Sequence, residues 1–304
     1  MTVGSSRPGT TRRVVCLGET MGQLTAVPPA TLSEAGQVAV DVAGAESTVA
    51  LHLARFGVPT AWVSRLGADP FGQRIRALLE RYGVDTRFVE VDPGRPTGVY
   101  FKDPSPEGTA VYYYRAGSAA SAMAPRIITD DLLDGAPLVH LTGITTALSE
   151  SCRATVEELL RKASRTACPI SFDVNHRPKL WRDRDAAAEL LELANRADIV
   201  FVGLDEAEAL WDTATPASVR TLLGRPREVV VKDGANGATL FLDHEELFEP
   251  AWQVDVVEPV GAGDSFAAGY LYERLAGRDG RARLRSGHRL AAAALGTTAD
   301  FAEL

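Results

Sequence analysis

Residues 254–271 read VDVVEPVGAGDSFAAGYL, an apolar run that predicts a strand, followed by a glycine-rich turn and a helix of small residues. A turn of this kind at the start of a helix leaves several backbone N–H groups free and lies at the positive end of the helix dipole. It predicts a site for phosphate oxygens at Gly261, Ala262 and Gly263. The turn is neither a Walker A loop, which needs G-K-[ST], nor a G-x-G-x-x-G turn.

The carboxylate of Asp264 directly follows these residues, where its charge would repel a phosphate group that was only being bound. The position makes chemical sense if the carboxylate takes a proton from a hydroxyl that attacks phosphorus. The tetrapeptide alone is equally consistent with a plain capping residue at the helix start. Asp264 is therefore a candidate catalytic base, with capping as the alternative.

Outside this segment, short apolar runs alternate with amphipathic stretches of ten or more residues. The alternation predicts an α/β protein with a mostly parallel sheet flanked by helices, which binds ligands at the carboxyl ends of its strands. The clearest helix is expected over 70–82, with Asp69 as N-cap and Gly83 closing it. The runs that predict buried strands are 14–17, 61–63, 138–141, 170–172, 199–202 and 229–231.

Two segments, at about 24–41 and 97–115, break this rhythm because each contains extended runs around a turn. Such runs predict β-hairpins. Together they are expected to form a small β-sheet that is attached to the main domain and covers a cleft as a lid. The chain is accordingly interpreted as a disordered tail at 1–13 and one domain over 14–304 that carries this lid.

Composition excludes some classes of function. The 304 residues contain 32 Lys and Arg against 40 Asp and Glu, and this acidic balance, without a basic patch, argues against nucleic-acid binding. No apolar run approaches the roughly 20 residues that span a bilayer, so no membrane partner is expected. The three cysteines, Cys16, Cys152 and Cys168, are widely spaced, which predicts neither disulfides nor a zinc site and favours a cytoplasmic location.

Eight motifs occur in order along the chain. They are AGAESTVALHLARFG at 43–57, VSRLGADPFG at 63–72, PTGVYF at 96–101, YYRAGSAAS at 113–121, HLTGIT at 140–145, SFDVNHRPKLW at 171–181, VVKDGANGA at 230–238 and PVGAGDSFAAGYL at 259–271. In this order they resemble the PfkB-type carbohydrate kinases of ribokinase-like fold, and within them the 2-keto-3-deoxygluconate kinases. The resemblance implies ATP-dependent phosphorylation, with Mg2+, of a hydroxyl on a small sugar or sugar acid.

Transferred to this chain, the resemblance implies that Asp264 is the catalytic base and that the amides of residues 261–263 hold the transferred phosphoryl group. It places Lys232, Gly234 and Gly237 on a K-x-G-x-x-G segment that binds ATP. Without the family, that segment would be interpreted as a plain turn with a solvated lysine.

The substrate-binding residues that the resemblance implies are Gly44, Thr48, Tyr100, Tyr113, Arg115 and Arg177. An aromatic strand alone would more simply predict core packing. Arg115 and Arg177, however, offer forked donors that suit a carboxylate, which favours a keto-deoxy acid over a neutral sugar. For Arg177, a surface ion pair or a contact to an ATP phosphate stays open. Asn175 is expected to serve either the nucleotide or the substrate.

Several positions depart from the family pattern. In the first motif, usually G-G-x-x-x-N, Ala43 replaces a glycine and Thr48 replaces the asparagine, so a hydroxyl stands for a carboxamide. Glu258 replaces an aspartate that is linked to a monovalent-cation site, and dependence on such a cation is left open. Gly203 replaces the asparagine of N-x-x-E, whereas Glu206 is present and is expected to reach Mg2+ through water.

The sequence therefore predicts a 2-keto-3-deoxygluconate kinase that uses ATP and Mg2+. A fructokinase-like sugar kinase is one alternative, and a catalytically weakened sugar-binding homologue that acts as a sensor is another. The expected partners are a small-molecule sugar or sugar acid and ATP. A homodimer paired through the lid stays open, because the hairpins would otherwise expose unpaired strand edges.

Overall fold

The computed structural model describes residues 12–27, 31–105, 108–182, 184–258, 260–297 and 301. The predicted tail at 1–13 lies outside them except for its last two residues. In the described chain the strands are β1 (Val14–Leu17), β2 (Met21–Ala26), β3 (Val38–Ala43), β4 (Thr60–Gly67), β5 (Val89–Asp92), β6 (Val99–Ser105), β7 (Gly108–Tyr114), β8 (Val139–Thr142), β9 (Ile170–Asp173), β10 (Ile199–Gly203), β11 (Glu228–Asp233), β12 (Gly237–Leu242) and β13 (Glu245–Pro250).

The α-helices of the same residues are α1 (Ala45–Arg55), α2 (Pro70–Arg81), α3 (Gly143–Ala147), α4 (Glu150–Thr166), α5 (Ala186–Ala194), α6 (Leu204–Trp211), α7 (Pro216–Leu222), α8 (Ala262–Leu275) and α9 (Gly280–Leu295). We find no candidate for a membrane span among these described helices.

The main sheet has the strand order β13-β12-β11-β10-β9-β8-β1-β4-β5. The strands from β11 through β5 run parallel, and β12 and β13 add an antiparallel hairpin at one edge. Each of the six predicted strands overlaps one of the parallel strands. Helices cover both faces, so the side chains of β1 and β10 are buried throughout, which stabilises the sheet by the hydrophobic effect. The expected α/β class is confirmed.

Helix α2 shows why local signals were sufficient for this element. The Asp69 side chain accepts a 2.8 Å hydrogen bond from the backbone N–H of Gly72, so it satisfies one of the donors left free at a helix start. Ile75 and Leu79 face the core, and Gly83 follows the helix with φ of +82°, a conformation that favours glycine. The predicted helix at 70–82 is confirmed to within one residue.

A second, four-stranded sheet has the order β3-β2-β6-β7. Two antiparallel pairs, β2 with β3 and β6 with β7, are joined by parallel pairing of β2 with β6. Met21, Ala43 and Tyr100 form a small buried cluster on the sheet. This is the small sheet expected from the two departing segments, whereas its action as a lid and the proposed domain division stay predictions.

The strand predicted before the glycine-rich turn is wrong. Residues 251–258 form no strand, and the side chains of Trp252, Val254 and Val256 are exposed. A strand needs a partner for its backbone groups, and here the N–H of Val257 instead donates to the carbonyl oxygen of Leu295, at the end of α9. The segment is therefore held by the last helix rather than by the sheet.

Candidate active site

A cleft separates the carboxyl end of the main sheet from the small sheet. Of the residues predicted from sequence, those that line it are Gly44, Tyr100, Tyr113, Arg115, Arg177, Gly261 and Asp264. They come from four distant parts of the chain: Arg177 follows β9 of the parallel sheet, Gly44 follows β3 of the small sheet, Tyr100, Tyr113 and Arg115 lie on or next to β6 and β7 of that sheet, and Gly261 and Asp264 lie at the start of α8. A larger groove of about 870 Å3 runs along α4, but its arginines and glutamates include surface ion pairs such as Arg196 with Glu157.

The turn at 261–263 forms the start of α8. Gly261 is the N-cap residue with φ of +85°, a left-handed conformation that a side chain would strain. The first N–H groups of a helix have no partner within it, so this turn presents donors to the cleft. A Cβ atom on Gly263 would lie 3.4 Å from Nζ of Lys232, which places the lysine ammonium directly beside the turn. Backbone dipoles and a cation thus converge where an anion would bind.

Asp264 does not cap α8, since no side chain caps this helix and the N-cap is Gly261. Its carboxylate lines the cleft beside the turn instead. Burial, and then repulsion from Asp173, raises the pKa of Asp264 to about 7, against the opposing effects of Arg177 and Lys232. A carboxylate with a pKa near neutrality can accept a proton at physiological pH, which a base in a catalytic site requires.

Asn175 orients this carboxylate. Its Nδ2 donates a 3.2 Å hydrogen bond to Oδ1 of Asp264, and its Oδ1 is buried without a partner among the described residues. The backbone of Asn175 has φ of +40°, an unfavourable conformation for a residue with a side chain. Strain of this kind is found where a site needs a fixed geometry. Asn175 therefore presents one polar atom to Asp264 and keeps one acceptor available.

Lys232 belongs to a buried charge cluster. Its Nζ lies 2.8 Å from Oδ2 of Asp173, at the end of the neighbouring strand but one. Burial opposes the charge on Lys232, but Asp173 and Glu206 outweigh burial and raise its pKa. The lysine thus stays protonated beside the turn. Asp173 was missed by the sequence reasoning, although its place at the end of a buried strand, in SFDVNHRP, could have pointed to it.

Both carboxylate oxygens of Glu206 are already engaged. Oε2 accepts the N–H of Gly203, which caps α6, and Oε1 accepts the N–H of His176, each at 2.9 Å. No group of three or more His, Cys, Asp or Glu side chains that could hold a metal ion occurs among the described residues. A contact of Glu206 with Mg2+ through water stays a prediction.

Arg115 forms an ion pair with the buried Glu19. Its Nε lies 2.6 Å from Oε2 of Glu19, its second terminal nitrogen also contacts that oxygen, and Ser118 donates to Oε1 at 2.5 Å. Glu19 is buried and was missed by the sequence reasoning; its position just after β1, in GETM, was the available signal. Part of the guanidinium charge is therefore already neutralised within the protein.

The tyrosines and the first helix differ in how far they reach the cleft. The hydroxyl of the buried Tyr100 donates a 2.6 Å hydrogen bond to Oε1 of Gln23. Tyr113 is half-exposed, and its ring centroid lies 5.5 Å from that of Tyr100. Gly44 caps α1 and has no room for a side chain, because a Cβ atom would lie 2.6 Å from the carbonyl oxygen of Glu19. Thr48 is buried within α1 and is not among the cleft-lining residues.

Glu46 is a further buried group that sequence reasoning missed. Its Oε1 accepts hydrogen bonds of 2.8 Å from the hydroxyls of both Thr142 and Thr145. Burial raises the pKa of Glu46 against these hydrogen bonds. The side chain ties the start of α1 to the end of β8 and to α3, and so fixes the floor of the cleft. The glutamate at the second position of the helix, in AGAES, was the only sequence signal.

Gly234 and Gly237 lie in the tight turn between β11 and β12, with φ of +48° and +144°. A side chain at Gly237 would place its Cβ 2.4 Å from the carbonyl oxygen of Glu249. The turn itself thus requires both glycines. Their contact with a nucleotide stays a prediction.

Comparisons with known proteins cover nearly the whole chain. The model of the "pfkB family carbohydrate kinase" matches residues 11–300. A 2-dehydro-3-deoxygluconokinase from Thermoproteus tenax is 36% identical over 279 residues, which cover 89% of this chain and 84% of that protein. A 2-dehydro-3-deoxygalactonokinase from Haloferax volcanii is 32% identical over 273 residues, which cover 88% and 86%.

Two crystal structures are closely similar in fold. The PfkB protein from Polaromonas sp. JS666 has a TM-score of 0.87 and 32% identity, covering 95% of this chain and 98% of that one. An E. coli protein provisionally named Ribokinase II, in complex with ATP and Mg2+, has a TM-score of 0.88 and 23% identity, covering 95% and 94%. At the latter identity only the fold is comparable.

Proposed function

The chain belongs to the pfkB family of carbohydrate kinases, and we propose that it transfers the γ-phosphoryl group of ATP to a hydroxyl of 2-keto-3-deoxygluconate. This sugar acid is the 2-dehydro-3-deoxygluconate for which the Thermoproteus tenax relative is named. The observation that carries the kinase chemistry is the carboxylate of Asp264, oriented by Asn175 and placed directly after the turn that offers backbone N–H donors.

The proposed reaction is an in-line transfer. Asp264 accepts the proton of the substrate hydroxyl, and the oxygen of that hydroxyl forms a bond to the γ-phosphorus. The bond from that phosphorus to the bridging oxygen breaks, releasing ADP. The amides of residues 261–263 and the ammonium of Lys232 stabilise negative charge on the transferred group. The donors are fixed before the reaction starts, so no reorganisation is needed as charge develops.

ATP and Mg2+ fit the donors present. The start of α8 and Lys232 form a positive cradle for phosphate oxygens, and the buried Oδ1 of Asn175 is an acceptor still without a partner among the described residues. Mg2+ bound to the phosphates would neutralise part of their charge. Both oxygens of Glu206 accept backbone N–H groups, which supports a contact of Glu206 with that ion through water.

Arg177 supports an acidic substrate over a neutral one. Its side chain is 46% exposed and lines the cleft, and its ion pair with Glu206 is long, at 3.9 Å. Arg115, by contrast, is held by Glu19 and keeps only part of its donors for a ligand. We assign the main contact with the substrate carboxylate to Arg177, and a supporting contact to Arg115.

The exposed edges of the small sheet support pairing with a second copy of the chain. Val38 and Val40 on β3, and Tyr112 and Tyr114 on β7, are large apolar side chains left exposed at opposite edges. An exposed apolar edge strand presents unpaired backbone groups that can pair with another chain. We propose a homodimer in which this sheet, acting as a lid, is the contact.

Three free, buried thiols fit the reducing cytoplasm that we expect for the enzyme.

A second candidate substrate is 2-keto-3-deoxygalactonate, the 2-dehydro-3-deoxygalactonate for which the Haloferax volcanii relative is named. The two acids share the carboxylate that Arg177 would bind and differ at one hydroxyl-bearing carbon. The arginine argument therefore applies equally to both, and only turnover can separate them.

The test is ADP formation coupled to product phosphorylation, with purified protein, ATP and Mg2+. The two keto-deoxy acids are compared with fructose, ribose and adenosine, and Asp264→Asn serves as the inactive control. Turnover on a keto-deoxy acid supports the proposal. Preferential turnover on fructose would favour a fructokinase, and sugar binding without any turnover would favour the sensor alternative.

A further inference from the structure

A buried ion pair connects the small sheet to the segment that precedes the turn. Nζ of Lys102, on β6, lies 3.7 Å from Oε2 of Glu258, and the two side chains are 1% and 6% exposed. The proposed reaction gives neither residue a role. Lys102 is among the largest fully buried side chains of the described chain, in a sheet whose edge strands are largely exposed.

The position of Lys102 on its strand directs it toward the cleft. Successive side chains of a strand alternate between faces, so Lys102 lies on the same face as Tyr100, two residues earlier. Tyr100 lines the cleft and belongs to the small buried cluster of this sheet. Tyr100 and Lys102 therefore extend along one face, from the substrate side of the cleft to the segment before α8.

Glu258 reaches the turn from the other side. Its Oε1 accepts a hydrogen bond of 3.3 Å from the backbone N–H of Val260, which precedes Gly261. Its own N–H, like that of Val257, donates to the carbonyl oxygen of Leu295 on α9. One carboxylate thus contacts both the backbone that leads into the turn and the ammonium of the small sheet.

The cost of an unpaired buried charge couples the position of the small sheet to the arrangement of the turn. A buried charge is costly unless it is paired, so moving Lys102 away would leave Glu258 without its ammonium partner in a buried place. Relief would require Glu258 to turn toward water, and its hydrogen bond to Val260 would be lost. The arrangement of the turn therefore depends on where the small sheet lies.

We propose that Lys102 is a positioning residue that, through Glu258, organises the phosphate-binding turn at 261–263 only when the small sheet covers the cleft. This inference rests on the proposed kinase function. The small sheet would then both cover the substrate and, through Lys102, complete the phosphate-binding turn as it closes. ATP bound under an open small sheet would then meet an incompletely formed turn and react slowly with water.

The test compares the wild type with Lys102→Met, Lys102→Arg, Glu258→Gln and the double variant Lys102→Met/Glu258→Gln. Glu246→Gln, which removes an exposed carboxylate on β13, is the matched control. Turnover, KM for ATP and for the sugar acid, and ATP hydrolysis without sugar are measured on proteins whose folding is checked by thermal unfolding. Hydrogen exchange of the peptide covering 257–266 is followed in parallel, since it reports on the turn without requiring activity.

We expect Lys102→Met and Glu258→Gln each to lower kcat at least tenfold, with KM for ATP within threefold of the wild type and exchange of 257–266 accelerated. Lys102→Arg should restore most of kcat, and the double variant should lose no more than either single variant. A folded Lys102→Met protein with kcat within twofold and unchanged exchange would overturn the inference. Should Lys102→Met not fold, Glu258→Gln decides by the same readouts. A wild type inactive on every substrate would overturn the proposed function, while exchange would still decide the coupling.

Discussion

Asn175 and Asp264 lie 89 positions apart in sequence, yet Nδ2 of Asn175 donates a 3.2 Å hydrogen bond to Oδ1 of Asp264. The donor approaches from a residue whose φ is +40°, a conformation the chain adopts at a cost. The bond occupies one carboxylate oxygen, and no described residue donates a hydrogen bond to the other, which can accept a proton in the cleft. One oxygen of Asp264 thus orients the carboxylate, and the other serves as the base in the proposed reaction.

Asp264→Asn should lower kcat by about 10²- to 10⁴-fold, the range that general base catalysis contributes. Binding of ATP and of the sugar acid should persist, because an amide of the same shape keeps the cleft intact. The measurement is steady-state turnover together with calorimetric binding. Asp255→Asn, which changes an exposed carboxylate in the preceding segment, is the control and should behave as the wild type. Comparable turnover in the two variants would remove Asp264 from the role of base.

The pKa of Asp264, raised to about 7, predicts a pH-dependent rate. The base must be unprotonated, so kcat/KM should fall about tenfold per pH unit below that pKa and level off above it. Asp173→Asn removes a negative charge that raises this pKa, so the acid limb should move to lower pH. The profile is measured from pH 5 to 9 for both proteins. An acid limb that moves upward, or not at all, in Asp173→Asn would contradict the assignment.

The same shift predicts a change of stability. Between its ordinary pKa and about 7, Asp264 binds more protons in the folded than in the unfolded protein, so the free energy of unfolding falls as pH rises through that window. Asp264→Asn removes this penalty. Since Asp264 is partly exposed to the cleft, we expect the variant to gain about 2 kcal/mol at pH 8 and almost nothing near pH 4. Urea unfolding at both pH values measures the gain, and a variant less stable at pH 8 would contradict it.

Arg177→Ala should raise KM for the keto-deoxy acid roughly 10- to 150-fold, which corresponds to the 1.5 to 3 kcal/mol of a hydrogen bond to a charged group. Arg177 also lowers the pKa of Asp264, so the comparison is made at pH 9, where the base is unprotonated in both proteins. There, turnover of a neutral sugar such as fructose should hardly change, because it has no carboxylate to lose. Parallel kinetics on the two substrates provide the comparison. Equal losses for both would show that Arg177 does not recognise the carboxylate.

Arg115→Ala should behave differently from Arg177→Ala. It leaves the buried carboxylate of Glu19 without its guanidinium partner, and breaking a buried pair in this way costs about 3 to 5 kcal/mol. Thermal unfolding should therefore show a large loss of stability, which Glu19→Gln in the same chain should largely restore. If Arg115→Ala left the melting temperature unchanged, Glu19 would not depend on Arg115.

Local patterns were enough to predict much of the architecture. The helix at 70–81 could be predicted because Asp69, Pro70 and Gly83 act on their immediate neighbours. The strands of the parallel sheet could be predicted because a buried strand needs an unbroken apolar run. The strand predicted at 254–258 was wrong, since an apolar run does not indicate whether a neighbouring strand is there to pair with it.

Local sequence patterns are sufficient to predict the class of fold, the glycine turn at 261–263 and the candidate base that follows it, because these depend on residues close together in the chain. Which charges meet depends on how distant segments pack in the folded protein. That packing pairs Arg115 with Glu19, Lys232 with Asp173 and Lys102 with Glu258. Such pairs join residues 59 to 156 positions apart, and the energy of a charge depends on its neighbours in space and on burial, neither of which local sequence patterns specify.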